Sequence, residues 1–219
     1  MIRHFERDLE QLKSDLIRMG SAVDDQCGAA CHALFEGDLE EARRVILTDR
    51  TIDEYDTHID RQVQSIFALN QPVAVDLRLG LAALMINTQL ERIGDIAVNI
   101  AERAPALALH RDFVKGTKLR EMADIARIMV RDSLDAFIHS DPDIARRVLA
   151  SDDVVDRLNG TVFRQVVEAM QADHKVVEPG AHALILSRHI ERLADHATNI
   201  AEDVIFLVEA RLVRHQDHS

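Results

Sequence analysis

The sequence predicts an all-α protein made of two pseudo-symmetric three-helix bundles, six long helices in all, and three observations carry that prediction. First, the segment Glu91-Arg92-Ile93-Gly94-Asp95-Ile96-Ala97-Val98-Asn99-Ile100-Ala101-Glu102 returns one hundred residues later as Glu191-Arg192-Leu193-Ala194-Asp195-His196-Ala197-Thr198-Asn199-Ile200-Ala201-Glu202, with eight of twelve positions identical. A match that long at a fixed offset marks an internal repeat. Second, apolar residues recur at steps of three, four and seven along most of the chain, the period of a helix face. Third, only eight Gly and four Pro punctuate 219 residues, so long helices joined by few turns are expected.

The elements follow in order. The first helix runs from about Ile2 to Phe35, with Leu9, Leu12, Leu16, Met19, Val23, Cys27 and Leu34 at helical spacing. Gly37-Asp38 supplies a stop and a new N-cap. The second helix covers about Leu39 to Leu69, with a seam at Val45, Ile52, Tyr55, Ile59, Val63 and Ile66. Asn70-Gln71-Pro72 is a turn that puts Pro72 near the first position of the third helix, which runs from about Val73 to Ala104, where Pro105 ends or kinks it. After a link near His110 to Gly116 the scheme restarts. A fourth helix spans about Lys118 to His139. Asp141-Pro142 caps and opens a fifth, which runs to about Ala172 with a seam at Val148, Val155, Leu158, Val162 and Val166. Residues Asp173 to Glu178 read as a loop, and Pro179 opens a sixth helix to about Val213, before a frayed end. Residues 1–110 therefore form the first bundle repeat and 111–219 the second.

Composition narrows the function. The net charge of −12 disfavours nucleic acid, whose binding needs a basic footprint, and disfavours direct docking onto anionic lipid. It favours cations or basic partner surfaces. No apolar run reaches the length of a membrane span, and the first ten residues turn acidic too early for a signal peptide, so a cytoplasmic protein is expected. Seven Phe, one Tyr and no Trp leave the aliphatic residues and Met to fill the core. Cys27 and Cys31, the only cysteines, have no second pair to complete a zinc site and read as small buried apolar residues.

The chemistry lies in the acidic residues. Four pairs stand four residues apart, which stacks two carboxylates on one helical face: Asp49 with Asp53, Glu91 with Asp95, Asp152 with Asp156, and Glu191 with Asp195. On the third and sixth helices the acids, with Asn99 and Asn199 following them, lie opposite the main apolar face. On the second and fifth the Asp pairs flank the seam. Like charges at this spacing cost a helix about a few tenths of a kcal/mol each. A cation would relieve that cost, and oxygen-only sites suit hard divalent ions or carboxylate-bridged iron and manganese. An ordinary solvated acidic face inherited by both repeats accounts for the spacing as well. Leu77, Leu81 and Leu84 continue the acidic face of the third helix and are a candidate contact surface or part of the bundle.

Other chemistries lack their residues. No Asp or Glu stands three residues before a His, as di-iron carboxylate bundles require. There is no phosphate-binding glycine loop, nucleophile elbow or His-Glu-x-x-His. His182, His189 and His196 recur every seven residues, but their counterparts in the other repeat are Ala82, Gln89 and Ile96, so the stripe reads as a helix interface or a solvated edge. His196, beside Asp195, is a candidate extra ligand.

The doubled segments, each extended back by Leu90 or Ile190, resemble the paired signatures of the PhoU family, and Gln71-Pro72-Val73-Ala74-Val75-Asp76-Leu77-Arg78 resembles the family's entry to its third helix. The second copy departs from the common pattern at Leu193-Ala194, where Ile-Gly is usual. The resemblance implies a PhoU-like fold and a cytoplasmic, non-enzymatic accessory of the phosphate ABC transporter. It implies negative control of phosphate uptake and of the phosphate-starvation response, by connecting the transporter's ATPase subunit to a sensor histidine kinase. It further implies a homodimer and multinuclear iron, zinc or other metal, with manganese or magnesium as further candidates. The metal would sit at Asp49, Asp53, Glu91, Asp95, Asp152, Asp156, Glu191 and Asp195, with Asn99, Asn199 and His196 as less central ligands. Two other readings compete: a metal-dependent phosphohydrolase, disfavoured because the rows face outward, and a metal buffer or purely structural helical protein.

Overall fold

Six long helices form where the apolar period runs unbroken, and they stop where capping residues interrupt it. The structure, a computed structural model, describes residues 2–70 and 72–210, without the side chains of residues 2–4. Helix α1 spans Ile2–Glu36, α2 Leu39–Asn70 and α3 Val75–Ala101; two short helices, α4 (Ala104–Leu107) and α5 (Arg111–Lys115), bridge the repeats; α6 spans Leu119–His139, α7 Pro142–Ala172 and α8 Val177–Glu209. Single 3-10 turns at Ala108–His110 and His174–Val176 complete the chain, and no strand occurs among the described residues.

The caps act as the sequence indicates. Gly37 takes φ 73°, the left-handed conformation that favours glycine, and Asp38 Oδ1 accepts from the Glu40 and Glu41 amides at 3.1 and 2.9 Å. Asp141 Oδ1 accepts from Asp143 N at 2.8 Å and Ile144 N at 3.2 Å, with Pro142 at the first helical position.

The links differ from expectation. Helix α3 starts at Val75, three residues past Pro72, because Ala74 at φ 47° breaks the helical path just before it. Gln71 lies outside the described residues. The same helix stops at Ala101, and Pro105 opens α4 instead of kinking α3, since its missing N–H is harmless in a first turn. The segment read as a link at 110–116 contains α5. At the sixth long helix, Pro179 sits in a first turn that begins at Val177. The expected end near Val213 lies outside the described residues.

Within each repeat the three long helices pack on one another, α1 with α2 and α3, α7 and α6 with α8. The repeats meet where α3 lies along α8 and α1 along α6, and the buried apolar residues of both join into one core. Helix α3 is therefore buried on two sides. Ile86, Leu90, Ile93, Ala97 and Ile100 form the expected face, and Ala82 and Ile96 are buried as well. This leaves Glu91 and Asp95 on a narrow strip rather than a broad polar face. The order of buried and exposed positions in residues 91–100 repeats identically in 191–200, so the internal symmetry extends from residue type to environment. Leu77 and Leu81 are each 39% exposed, whereas Leu84 packs on the core. Cys27 and Cys31 are buried in that core, where burial pushes both thiols up, Cys31 to about 11, so both stay protonated and unreactive.

Candidate metal centre at the acidic rows

Packing α2 on α3 joins two of the four carboxylate pairs into one ledge. Asp49 and Glu91 are half-buried, Asp53 and Asp95 exposed. Burial raises the Asp95 pKa, and the charges of Asp49 and Asp53 across the helix boundary raise it further. Glu91 is raised by burial and then by Asp95, Asp56 and Asp53. The second bundle repeats the arrangement between α7 and α8. There Asp152 is pushed up to about 6, first by burial and then by Asp156, Asp195, Asp153 and Glu191. Asp195 is raised by burial and by Glu191.

Most of these carboxylates have no basic partner among the described residues. Among the described residues only Glu191 of the eight pairs with a basic side chain, that of Arg188. Arg92 and Arg192 act at longer range, lowering Glu91 and Asp95 respectively. Asp49 instead accepts a hydrogen bond from Gln26 Nε2 at 3.0 Å. Gln26 reaches over from α1, is buried, and leaves its own Oε1 without a donor. An all-oxygen donor set under mutual repulsion fits a hard cation. As placed, no three His, Cys, Asp or Glu side chains among the described residues converge on one point, so seating an ion requires rotation of the exposed carboxylates.

The lesser candidates lie elsewhere. Asn99 Nδ2 donates to its own helix at Asp95 O, 2.8 Å away. Asn199 Nδ2 donates across the seam between repeats to Gln89 Oε1 at 3.3 Å. His196 is buried in the same seam, its Nδ1 2.8 Å from Gln89 Oε1. Burial and the nearby Arg92 and Arg192 lower its pKa to about 4, keeping the ring neutral. It serves the contact between α3 and α8, the helix interface that was one of the two readings of its spacing.

Four polar residues of the first bundle's rows escaped the sequence reading: Gln26, Asp56, Asp60 and Asn87. The spacing of Asp56 and Asp60 equals that of the recognised pairs and was available as a signal. A search keyed to what both repeats share passes over them, because the second repeat has Asn159 and Phe163 in their places.

The raised carboxylates set a pH dependence. A group whose pKa is higher folded than unfolded binds protons more tightly when folded, so its contribution is lost as pH rises between the two values. For Asp152 that window runs from about 4 to about 6. Asp152→Asn is therefore expected to raise the metal-free melting temperature at pH 7 by about 1–3 °C, a modest figure because the group is half solvated. The gain should shrink towards zero at pH 4, in thermal scans followed by circular dichroism. An equal gain at both pH values would show that repulsion in the row is not its source.

An all-helical tandem repeat carrying a carboxylate ledge on each half defines a class of acidic two-bundle proteins. The chain belongs to the PhoU family: the family model described as "PhoU domain" matches residues 16–104 and 119–204. The chain is 38% identical over 214 residues to the "Phosphate-specific transport system accessory protein PhoU homolog" of Pseudomonas putida, covering 97% of this chain and 84% of that one. The protein of the same name from Clostridium acetobutylicum is 36% identical, covering 95% and 96%. Among solved structures, PhoU from Pseudomonas aeruginosa superposes with a TM-score of 0.88 at 35% identity, covering 94% of this chain and all of that one. The phosphate transport system regulatory protein PhoU from Streptococcus pneumoniae gives 0.86 at 25% identity, covering 95% and 99%.

Proposed function

We propose that this protein is a non-catalytic regulator of phosphate transport. It works in the cytoplasm as a homodimer, connects the ATPase subunit of a phosphate ABC transporter to a sensor histidine kinase, and holds down phosphate uptake and the starvation response when phosphate is plentiful. The observation that carries this reading is the near full-length kinship with proteins named as accessories of the phosphate-specific transport system. The geometry is compatible with it. The acidic rows form open ledges, suited to a cation or a basic partner surface and unsuited to shielding a reacting centre from water. Among the described residues no helix is long and apolar enough to cross a membrane, so attachment to a transporter would come through protein contacts. The rows bind metal, and their oxygen-only donors favour iron, manganese or magnesium over zinc, which prefers nitrogen and sulfur.

Deleting the gene is expected to make alkaline phosphatase expression constitutive in high phosphate, with repression restored by the intact gene in trans. Expression that stays low in the deletion strain would remove the regulatory reading.

A further inference from the structure

The two bundles differ at the ends of α3 and α8, and the difference leaves a groove. Ala101, where α3 stops, corresponds to Ala201 by the offset of the doubled segment, yet α8 runs on for about two more turns to Glu209. In the first bundle the chain turns aside into α4 instead. The first two turns of α2, which face this end, are left partly bare. Leu39 and Ile46 are 36% and 39% exposed there. With Ala42, Ala101 and Pro105 they form the apolar floor of an open groove of about 490 Å3, rimmed by Arg43, Glu102 and Arg103. The Nε of Arg103 is buried and has no hydrogen-bond acceptor.

The second bundle shows the same surface covered. By the offset that aligns Asp49 with Asp152, Leu39, Glu40, Arg43 and Ile46 correspond to Pro142, Asp143, Arg146 and Leu149. Leu149 is half-buried and packs on the core, where Ile46 stands exposed. Among the described residues Arg43 pairs only with Glu40, three residues before it. Arg146 pairs with Asp143 in the same way, and additionally with Glu209 at the end of α8, 2.5 Å away. The counterpart of Glu209 is Leu109, which is 93% exposed in the link between the repeats. The first bundle therefore keeps the arginine and its near neighbour without the helix end that brings the second carboxylate.

We infer that this groove docks an amphipathic helix of a partner protein, in the place that the last turns of α8 occupy against α7. The internal template sets the chemistry of that helix. It carries apolar residues three or four apart, as Ile205 and Val208 are in α8, to cover Leu39 and Ile46, and a carboxylate at its far end for Arg43, as Glu209 serves Arg146. Arg103 adds a second cation on the rim, so an acidic helix fits and a basic one is repelled. Glu102 is matched by Glu202 in the covered version, so it does not distinguish the two grooves. A second copy of this chain does not have its α8 end to offer, because that end is already laid on its own α7. The groove uses none of the eight carboxylates of the acidic rows and needs no metal.

The test uses a helix-stabilised, fluorescein-labelled peptide with the sequence of residues 199–210, titrated into the full-length chain and followed by fluorescence anisotropy. Saturable binding of one peptide per chain is expected. Arg43→Glu, an exposed change that should leave the melting temperature level, is expected to weaken binding about tenfold, and a peptide carrying Glu209→Lys is expected to regain the loss on that variant but not on the parent chain. This exchange of charge locates the peptide in the first bundle, since a peptide that displaced the chain's own α8 end would respond to Arg146→Glu instead. Ile46→Asp is expected to abolish binding independently of the charge pair. Absence of saturable binding to the parent chain, or equal affinity for the parent and both variants, overturns the proposal, as does a peptide that responds only to Arg146→Glu. A parent chain that sediments as a dimer while Ile46→Asp sediments as a monomer also overturns it, because the surface then belongs to a second copy and not to a partner helix.

Discussion

The variant Asp49→Asn/Asp53→Asn/Glu91→Gln/Asp95→Asn is expected to melt higher than the parent chain in a chelator and lower than it in saturating metal. The two halves of that result have separate causes. Without metal, the four groups repel across the α2–α3 boundary, and among the described residues none is paired with Arg or Lys. Each like-charge contact costs about a few tenths of a kcal/mol, and solvent screens exposed groups further. Neutralising all four therefore yields about 1 kcal/mol, or about 2–4 °C for a chain of this size. With metal at a hundred times its dissociation constant, the parent chain gains about 2.7 kcal/mol that the variant cannot. That is about 5–11 °C in the opposite direction. Elemental analysis of the two purified proteins gives the matching measurement, with metal retained by the parent and lost from the variant's first bundle. If the variant melts lower even in chelator, the carboxylates hold structural partners within the fold, and the metal reading loses its physical basis.

The reach of the sequence follows from which signals are periodic. The six long helices were legible because burial on one face writes itself into apolar spacing, and Gly37, Asp38, Asp141 and Pro142 mark ends whose capping geometry needs those residue types. The links were not legible. Pro105 reads as a helix breaker whether it stops α3 or opens α4, since only the following residues' packing decides between the two. The carboxylate pairs were found because the repeat doubles them. That α2 would set Asp49 and Asp53 against Glu91 and Asp95 depends on the rotation of two helices about their axes, which spacing within one helix cannot give. His196 illustrates the same limit: its neighbour in sequence is an acid of the row, yet its side chain turns into the seam toward Gln89, because α3 and α8 bury that side of both helices. Gln26 and Asn87 carried no pattern at all. Each is a single buried amide, and only the packed structure shows which acid it holds and which of its atoms is left without a partner.

The larger loss of stability should come from the core. Phe137→Ala is expected to cost about 3–5 kcal/mol, the usual range for deleting a buried aromatic ring, and to lower the melting temperature by about 6–20 °C. Phe137 on α6 is 1% exposed and is the bulkiest of the fully buried side chains, in a core filled mostly by Leu, Ile, Val, Ala and Met. Near it, α6 approaches α1 so closely that a β-carbon at Gly20 would lie 2.6 Å from Leu134 Cδ2. Helices held this tightly cannot collapse freely into the space that the ring vacates, so the cost should fall toward the upper part of the range. The form of the transition is as informative as its midpoint. Because buried residues of both repeats belong to one continuous core, the damage in α6 should be shared by the first bundle through α1 and α3. Helical circular dichroism is then expected to fall in a single cooperative step at the lower temperature. A melt in which half the helical signal disappears early and the remainder at the parent temperature would show instead that the two bundles fold independently, and that the contacts of α1 with α6 and of α3 with α8 add little to the stability of either.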